Sequence, residues 1–146
     1  PGPPKVPGQS AQINQSLQDA LQDMMQDLVG IVRNEPDMQR ALEHLGPLRE
    51  RAKRVGVAGH REYNPGWHAA LDLHNLLTVS EAITRSAIER KESRGGHFRE
   101  DFPEKDQTFG TLNFIVRKGR DGEMEVSRRP IPDMPDDLKR IIEDMR

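Results

Sequence analysis

The chain has 146 residues and a formal charge of -2, from 22 Lys and Arg against 24 Asp and Glu. That length suits one domain, or a small domain with an arm, and excludes a complete large enzyme; the near-neutral charge excludes a general binder of nucleic acid or anionic lipid. The lack of Cys excludes disulfides, a thiol nucleophile and any thiolate-held zinc or iron–sulfur centre on this chain, and it fits a reducing compartment.

Residues 1–9 hold four Pro and two Gly, which favours extended, solvated backbone and reads as a flexible linker. From Ser10 the spacing changes. Ile13, Leu17, Leu21, Met24, Met25, Leu28, Ile31 and Val32 recur every three or four residues with Asp19, Asp23 and Asp27 on another face, which predicts an amphipathic helix. Asn34-Glu35-Pro36-Asp37 reads as a stop and a capped restart. Met38, Leu42, Leu45, Leu48, Ala52 and Val55 form the stripe of a second helix, which Gly46-Pro47 is expected to kink or split.

Residues 56–62 read as a connection, and Asn64-Pro65 as the next cap and first turn. A third, longest helix follows from Trp67 to about Lys91, with Leu71, Leu73, Leu76, Leu77, Val79, Ile83, Ala87 and Ile88 forming a face wide enough to be sandwiched. Gly95-Gly96 is expected to end it. Phe114 and Val116, then Met124 and Val126, alternate with polar residues on either side of Asp121-Gly122, which predicts a β-hairpin. Pro130, Pro132 and Pro135 stop the return strand, and Leu138, Ile141 and Ile142 mark a short last helix. The fold class is mainly α: a three-helix bundle of the spectrin-like kind over 10–95, then a long loop, a short β-hairpin and a short C-terminal helix over 96–146.

Catalytic constellations are sparse. The chain has neither the glycine pattern of a dinucleotide cradle nor a phosphate-binding loop. His44, His60, His68, His74 and His97 lack metal-ligand spacing, and Ser80, Ser86 and Ser93 lack a nucleophile elbow, so they read as helix-surface serines. His74 reads as a rim residue, and Asn75, inside an apolar face, as a tie from the bundle to a loop. Met24-Met25 reads as core or as a plastic contact surface. The densest polar stretch is residues 92–103, ESRGGHFREDFP, in which Phe98 and Phe102 need something to bury against.

That stretch resembles the signature of the succinate dehydrogenase/fumarate reductase flavoprotein family, E-S-R-G-[AG]-H-[FY]-R-x-D-[FY]-P. Leu71-Asp72-Leu73-His74-Asn75-Leu76-Leu77 is similar to the family's L-E-L-x-N-L-L, and Gly30-Ile31-Val32-Arg33 and Leu48-Arg49-Glu50-Arg51 resemble its first two helices. The resemblance implies a C-terminal helical domain with no catalytic, cofactor-binding or metal-binding residue of its own, and no activity as a fragment. FAD and the dicarboxylate then belong to upstream domains of the parent, an oxidoreductase that interconverts succinate and fumarate; L-aspartate oxidation shares the architecture. Arg94, Gly95, Gly96, His97, Arg99 and Asp101 are expected to dock the domain on the parent's FAD-binding domain, with an iron–sulfur subunit as a second partner and neither nucleic acid nor membrane insertion involved. On this reading residues 95–105 are mobile without that partner, replacing Arg99 hardly alters the melting point, and the chain is cytoplasmic, its parent at the cytoplasmic face of the inner membrane. The start at Pro1 fits either removal of an initiator Met or a segment of a longer polypeptide. The alternative is a free-standing helical adaptor that binds a partner protein through this loop and its Met-rich first helix.

Overall fold

The computed structural model describes residues 9–55, 57 and 62–145. The expected linker, apart from Gln9, lies outside them, as do His60 and most of the expected connection over 56–62. Helix α1 is Gln9–Val29, a two-residue strand β1 is Val32–Arg33, and α2 is Glu35–Lys53. Helix α3 is Pro65–Glu89 and strand β2 is Phe98–Arg99; a single 3-10 turn, Phe109–Thr111, leads into β3, Leu112–Lys118, then β4, Met124–Pro130, and α4, Asp136–Asp144.

Periodicity places the core correctly. Leu17 and Leu21 of α1, Leu45, Leu48 and Ala52 of α2, and Leu73 and Leu77 of α3 form one buried cluster, with Met24, Met25, Leu42, Val55 and Leu76 packed against it. Apolar stripes at helical spacing can leave water only by facing each other, so three of them make a bundle. Both expected caps are present. Asn34 accepts from the Asp37 amide with Pro in the first turn of α2, and Asn64 accepts from the Gly66 amide at the start of α3.

Four expectations need correction. Helix α1 stops at Val29, so Ile31 and Val32 belong to the connector and stand 70% and 57% exposed. Helix α2 continues through Gly46-Pro47 without the expected split, both residues lying on its exposed face, where the carbonyl that Pro47 leaves without a donor is open to solvent. Helix α3 ends at Glu89, and its exposed Leu71, Val79 and Ile83 show that its apolar face is wider than what the neighbouring helices cover. Asn75 and His74 are exposed, whereas the buried amide is Asn14, whose Nδ2 donates to the Gly66 carbonyl at 3.5 Å.

The hairpin pairs β3 with β4 antiparallel from Leu112 opposite Pro130 to Lys118 opposite Met124. Gly122, at φ +90, takes the left-handed conformation its turn requires. The hairpin leans on the end of α3, where Phe109 and Phe114 stack 6.0 Å apart, the Arg90 guanidinium covers Phe114, and Arg128 pairs with Glu89 at 2.8 Å. Beyond it, Leu138, Ile141 and Ile142 of α4 remain exposed. Among the described residues no helix is long and apolar enough to cross a membrane.

A candidate docking turn on a buried charge network

After α3 the chain doubles back. Arg94 and His97 exchange both backbone hydrogen bonds, 2.8 and 3.1 Å, around a two-residue turn made by Gly95-Gly96. Gly95 has φ +60, so the left-handed residue expected at a helix end serves a tight turn six residues past the helix. The returning strand β2 lies parallel to β1, with Val32 opposite Phe98 and Arg33 opposite Arg99. The amides of Phe98 and Glu100 donate to the carbonyls of Ile31 and Arg33, at 3.1 and 2.8 Å. The signature segment is thereby fastened to the connector between α1 and α2.

Arg99 is fully buried. Its guanidinium donates to the Ala87 and Ile88 carbonyls at 2.9 and 3.2 Å, and in fork fashion to both Asp101 oxygens at 2.7 Å. Asp101 in turn accepts from the Glu35 amide at 3.1 Å. A cation thus sits on the unpaired carbonyls ending α3, and its partner carboxylate on the unpaired amides opening α2, which is the placement both helix dipoles favour. The Arg99 guanidinium beside Asp101 holds that carboxyl at about 2.

Glu92 is the second anchor and is also fully buried. Its carboxylate accepts from Arg94 Nε and Nη2 at 3.0 Å each, from Arg90 at 2.5 Å and from the Asp106 amide at 2.9 Å. These donors, Arg94 foremost, hold its carboxyl at about 2. Arg90 also donates to the Phe109 and Leu112 carbonyls and so links the anchor to the hairpin. Ser93 is buried: its hydroxyl accepts from the Arg99 amide and donates to the Phe102 carbonyl, both at 2.9 Å. Such a charge cluster is tolerated away from water because its donors and acceptors find one another.

All six expected site residues fall in this one segment, in two different situations. Arg94, Gly95 and Gly96 are exposed, beside a 41% exposed Phe98, and His97 is half-buried. Arg99 is fully buried, whereas Asp101 is exposed as a residue, with 28% of its side chain accessible. The ends of α2 and α3 supply Arg99 and Asp101 with partners inside the chain, so their hydrogen bonds do not require an outside one. Ser93, expected on the surface, is part of the scaffold, and Ser80 is buried too. Glu92 and Ser93 stand inside the quoted motif, yet no local spacing marks them as buried. Arg33 and Glu35 lie some sixty positions upstream of their partners, so no local spacing marks those pairings. Met24 and Met25 are half-buried and pack against the core cluster.

Comparison with known proteins agrees with this geometry. The family pattern described as "Fumarate reductase flavoprotein C-term" matches residues 5–139. A fumarate reductase flavoprotein subunit of Mycobacterium tuberculosis is 32% identical over 125 residues, which are 85% of this chain and 21% of that protein. An L-aspartate oxidase of Acinetobacter baylyi is 40% identical over 89 residues, 61% of this chain and 15% of the other. Among solved structures, Mycobacterium smegmatis Sdh1 in complex with UQ1 superposes with a TM-score of 0.79 at 38% identity, over 89% of this chain and 22% of that one. A variant of the E. coli quinol fumarate reductase subunit FrdA gives 0.67 at 28% identity, over 84% and 22%. The chain spans about a fifth of the length of these flavoprotein subunits.

Proposed function

Because the chain belongs to the family of fumarate reductase and succinate dehydrogenase flavoprotein C-terminal domains, we propose that it is the helical support of an FAD-dependent subunit that interconverts succinate and fumarate, bracing the FAD-binding domain without doing chemistry itself. The observation that carries this reading is the Gly95-Gly96 turn, a small exposed surface set on a fully buried scaffold. A Cβ added at either glycine would meet nothing within 4 Å, so the turn is open on its outer side. Arg94 keeps two nitrogens on Glu92 while its side chain stays 41% exposed, and Phe98 supplies an apolar edge. Docking on such a turn loses little conformational entropy, because Glu92, Ser93 and Arg99 have already ordered it.

The described residues offer FAD no cradle of their own. A dinucleotide needs a glycine-rich strand-to-helix turn or an enclosing cleft, whereas the hollow beside the turn, lined by Ser93, Arg94, His97 and Lys105 among others, is an open surface depression. The flavin and the dicarboxylate are accordingly assigned to the rest of the parent, the second contact to an iron–sulfur subunit, and the assembly to the cytoplasmic face of a membrane.

Cross-linking mass spectrometry on the intact flavoprotein tests this, since Lys91 and Lys105 flank the turn. Links from Lys105 into the FAD-binding domain are expected; links confined to this domain would remove the proposal. Gly96→Trp is the companion variant. The space around Gly96 predicts an unchanged fold and a lowered flavin-to-protein ratio.

A further inference from the structure

His97 is held by two groups that together dictate its proton. Its Nε2 lies 3.0 Å from the Arg90 carbonyl and its Nδ1 lies 2.8 Å from Nη1 of Arg33. A carbonyl only accepts and a guanidinium only donates. The ring must therefore carry its hydrogen on Nε2 and offer the Nδ1 lone pair to Arg33, which leaves it neutral. Arg33 is not free to retreat, because its Nε also donates to the Val29 and Gly30 carbonyls that end α1. One imidazole thus bolts the end of α1, the end of α3 and the signature turn together.

We propose that His97 is a proton-operated latch: neutral, it ties the α1–α2 connector to the Gly95-Gly96 turn, and on protonation it lets go of Arg33. A second ring proton would have to sit on Nδ1, pointing straight at a guanidinium that has no lone pair to receive it. The guanidinium groups nearest the ring repel that proton. Arg33 faces it from β1, Arg90 from the end of α3 and Arg99 from β2. Across the hollow stand Arg94, Glu104 and Lys105, while Glu92 and Asp101 are already engaged by Arg90, Arg94 and Arg99. Burial first, then the charges of Arg33, Arg99 and Arg90, outweigh the hydrogen bond to the Arg90 carbonyl, which favours the charged ring, and push the ring below its usual value.

The direction of the switch follows. Both folded and unfolded chains carry a neutral ring well above pH 6.5, so the latch is closed there. As the pH falls through 6.5 the unfolded chain takes up the proton first, and the closed latch loses stability until the folded ring protonates and opens. Glu92 and Asp101, which titrate near 2, stay charged throughout this interval and keep the rest of the segment in place. This inference concerns contacts inside the chain and holds whether or not the turn docks on a flavin domain.

Nitrogen-15 NMR of histidine-labelled 146-residue chain reads it directly. The expected result is an Nε2–H tautomer at pH 7.5, a His97 midpoint below 6.5, and protection factors of the Phe98 and Glu100 amides that fall about tenfold around that same midpoint, the scale of one hydrogen bond lost between a neutral ring and a charged donor. His97→Gln is the control, because a glutamine amide can offer N–H to Arg90 and oxygen to Arg33 yet cannot titrate. Its protection factors are expected to stay flat. An Nδ1–H tautomer, a midpoint at or above 6.5, or the same acid response in both proteins would overturn the latch. Should the variant fail to fold, the tautomer and midpoint of the unaltered protein decide the matter alone.

Discussion

Leu17, Leu45 and Leu77 in the bundle, and Glu92 and Arg99 in the segment after it, are all 2% exposed or less, yet different forces hold the two groups. The leucines are held by apolar burial, which is non-directional and tolerates small shifts of one helix past another. Glu92 and Arg99 are held by hydrogen bonds of fixed length and angle to charged or helix-end groups, and these are strong only while every partner is in place. The bundle therefore supplies bulk and the segment supplies position. Contacts of the second kind fix the orientation of a turn more closely than contacts of the first.

The sharpest way to break the comparison is to remove one partner from each region. Arg99→Ala leaves the Asp101 carboxylate and the Ala87 and Ile88 carbonyls without their donor, and a loss of about 3–5 kcal/mol in chemical denaturation is expected. This reverses the expectation, drawn from the motif alone, that Arg99 is dispensable to the melting point. Leu77→Ala deletes a 1% exposed core leucine and is expected to cost about 2–5 kcal/mol through lost burial and the cavity left behind. If Arg99→Ala proves neutral, the polar region is decoration on the bundle and the contrast fails.

Acid separates the regions without mutation, because the leucines do not titrate. The folded carboxyls of Glu92 and Asp101 lie near 2, below their ordinary values of 4.5 and 3.8. Depressed carboxyls stabilise the fold above those ordinary values, and the contribution drains away as pH falls through them toward 2. Melting temperature is thus expected to drop across that interval, and Glu92→Gln is expected to flatten the profile while lowering stability at neutral pH. In the other direction, Pro47→Ala restores a donor on the exposed face of α2 and is expected to stabilise by about 1–3 kcal/mol, with helical circular dichroism preserved. The smallest effect belongs to α4. Ile141 is 53% exposed with no buried neighbour on its own helix, so Ile141→Ser is expected to stay within about 0.5 kcal/mol.

How much of this was legible beforehand depends on the range of the physics. Helix existence, the two Asn caps, the leucine core and the hairpin follow from spacing within one or two turns, and each was readable from residues a few positions apart. Errors came where that local reading met a longer-range competitor. Gly46-Pro47 looked like a break because proline removes a donor, but the position faces water and the break does not occur. Ile31 and Val32 continue the apolar period of α1, yet they leave the helix because the connector pairs with Phe98 and Arg99. Asn75 looked like the buried amide of the bundle, a place taken by Asn14.

For the site, the twelve residues 92–103 were recognisable as a unit, and the six candidate residues do lie together. Their division of labour was not. Arg94 and Arg99 are the same residue type five positions apart, and only the fold makes one an exposed arm and the other a buried cap on α3.

The sequence by itself determined that this chain makes a small helical bundle with a polar signature at its end, since periodicity and capping act over one or two helical turns and the motif is a contiguous word. Only the tertiary structure decided which charges are buried, that Arg33 reaches His97 and that Asp101 opens α2. Those pairings join residues more than sixty positions apart, and such a hydrogen bond exists only when folding brings its donor within about 3 Å of its acceptor.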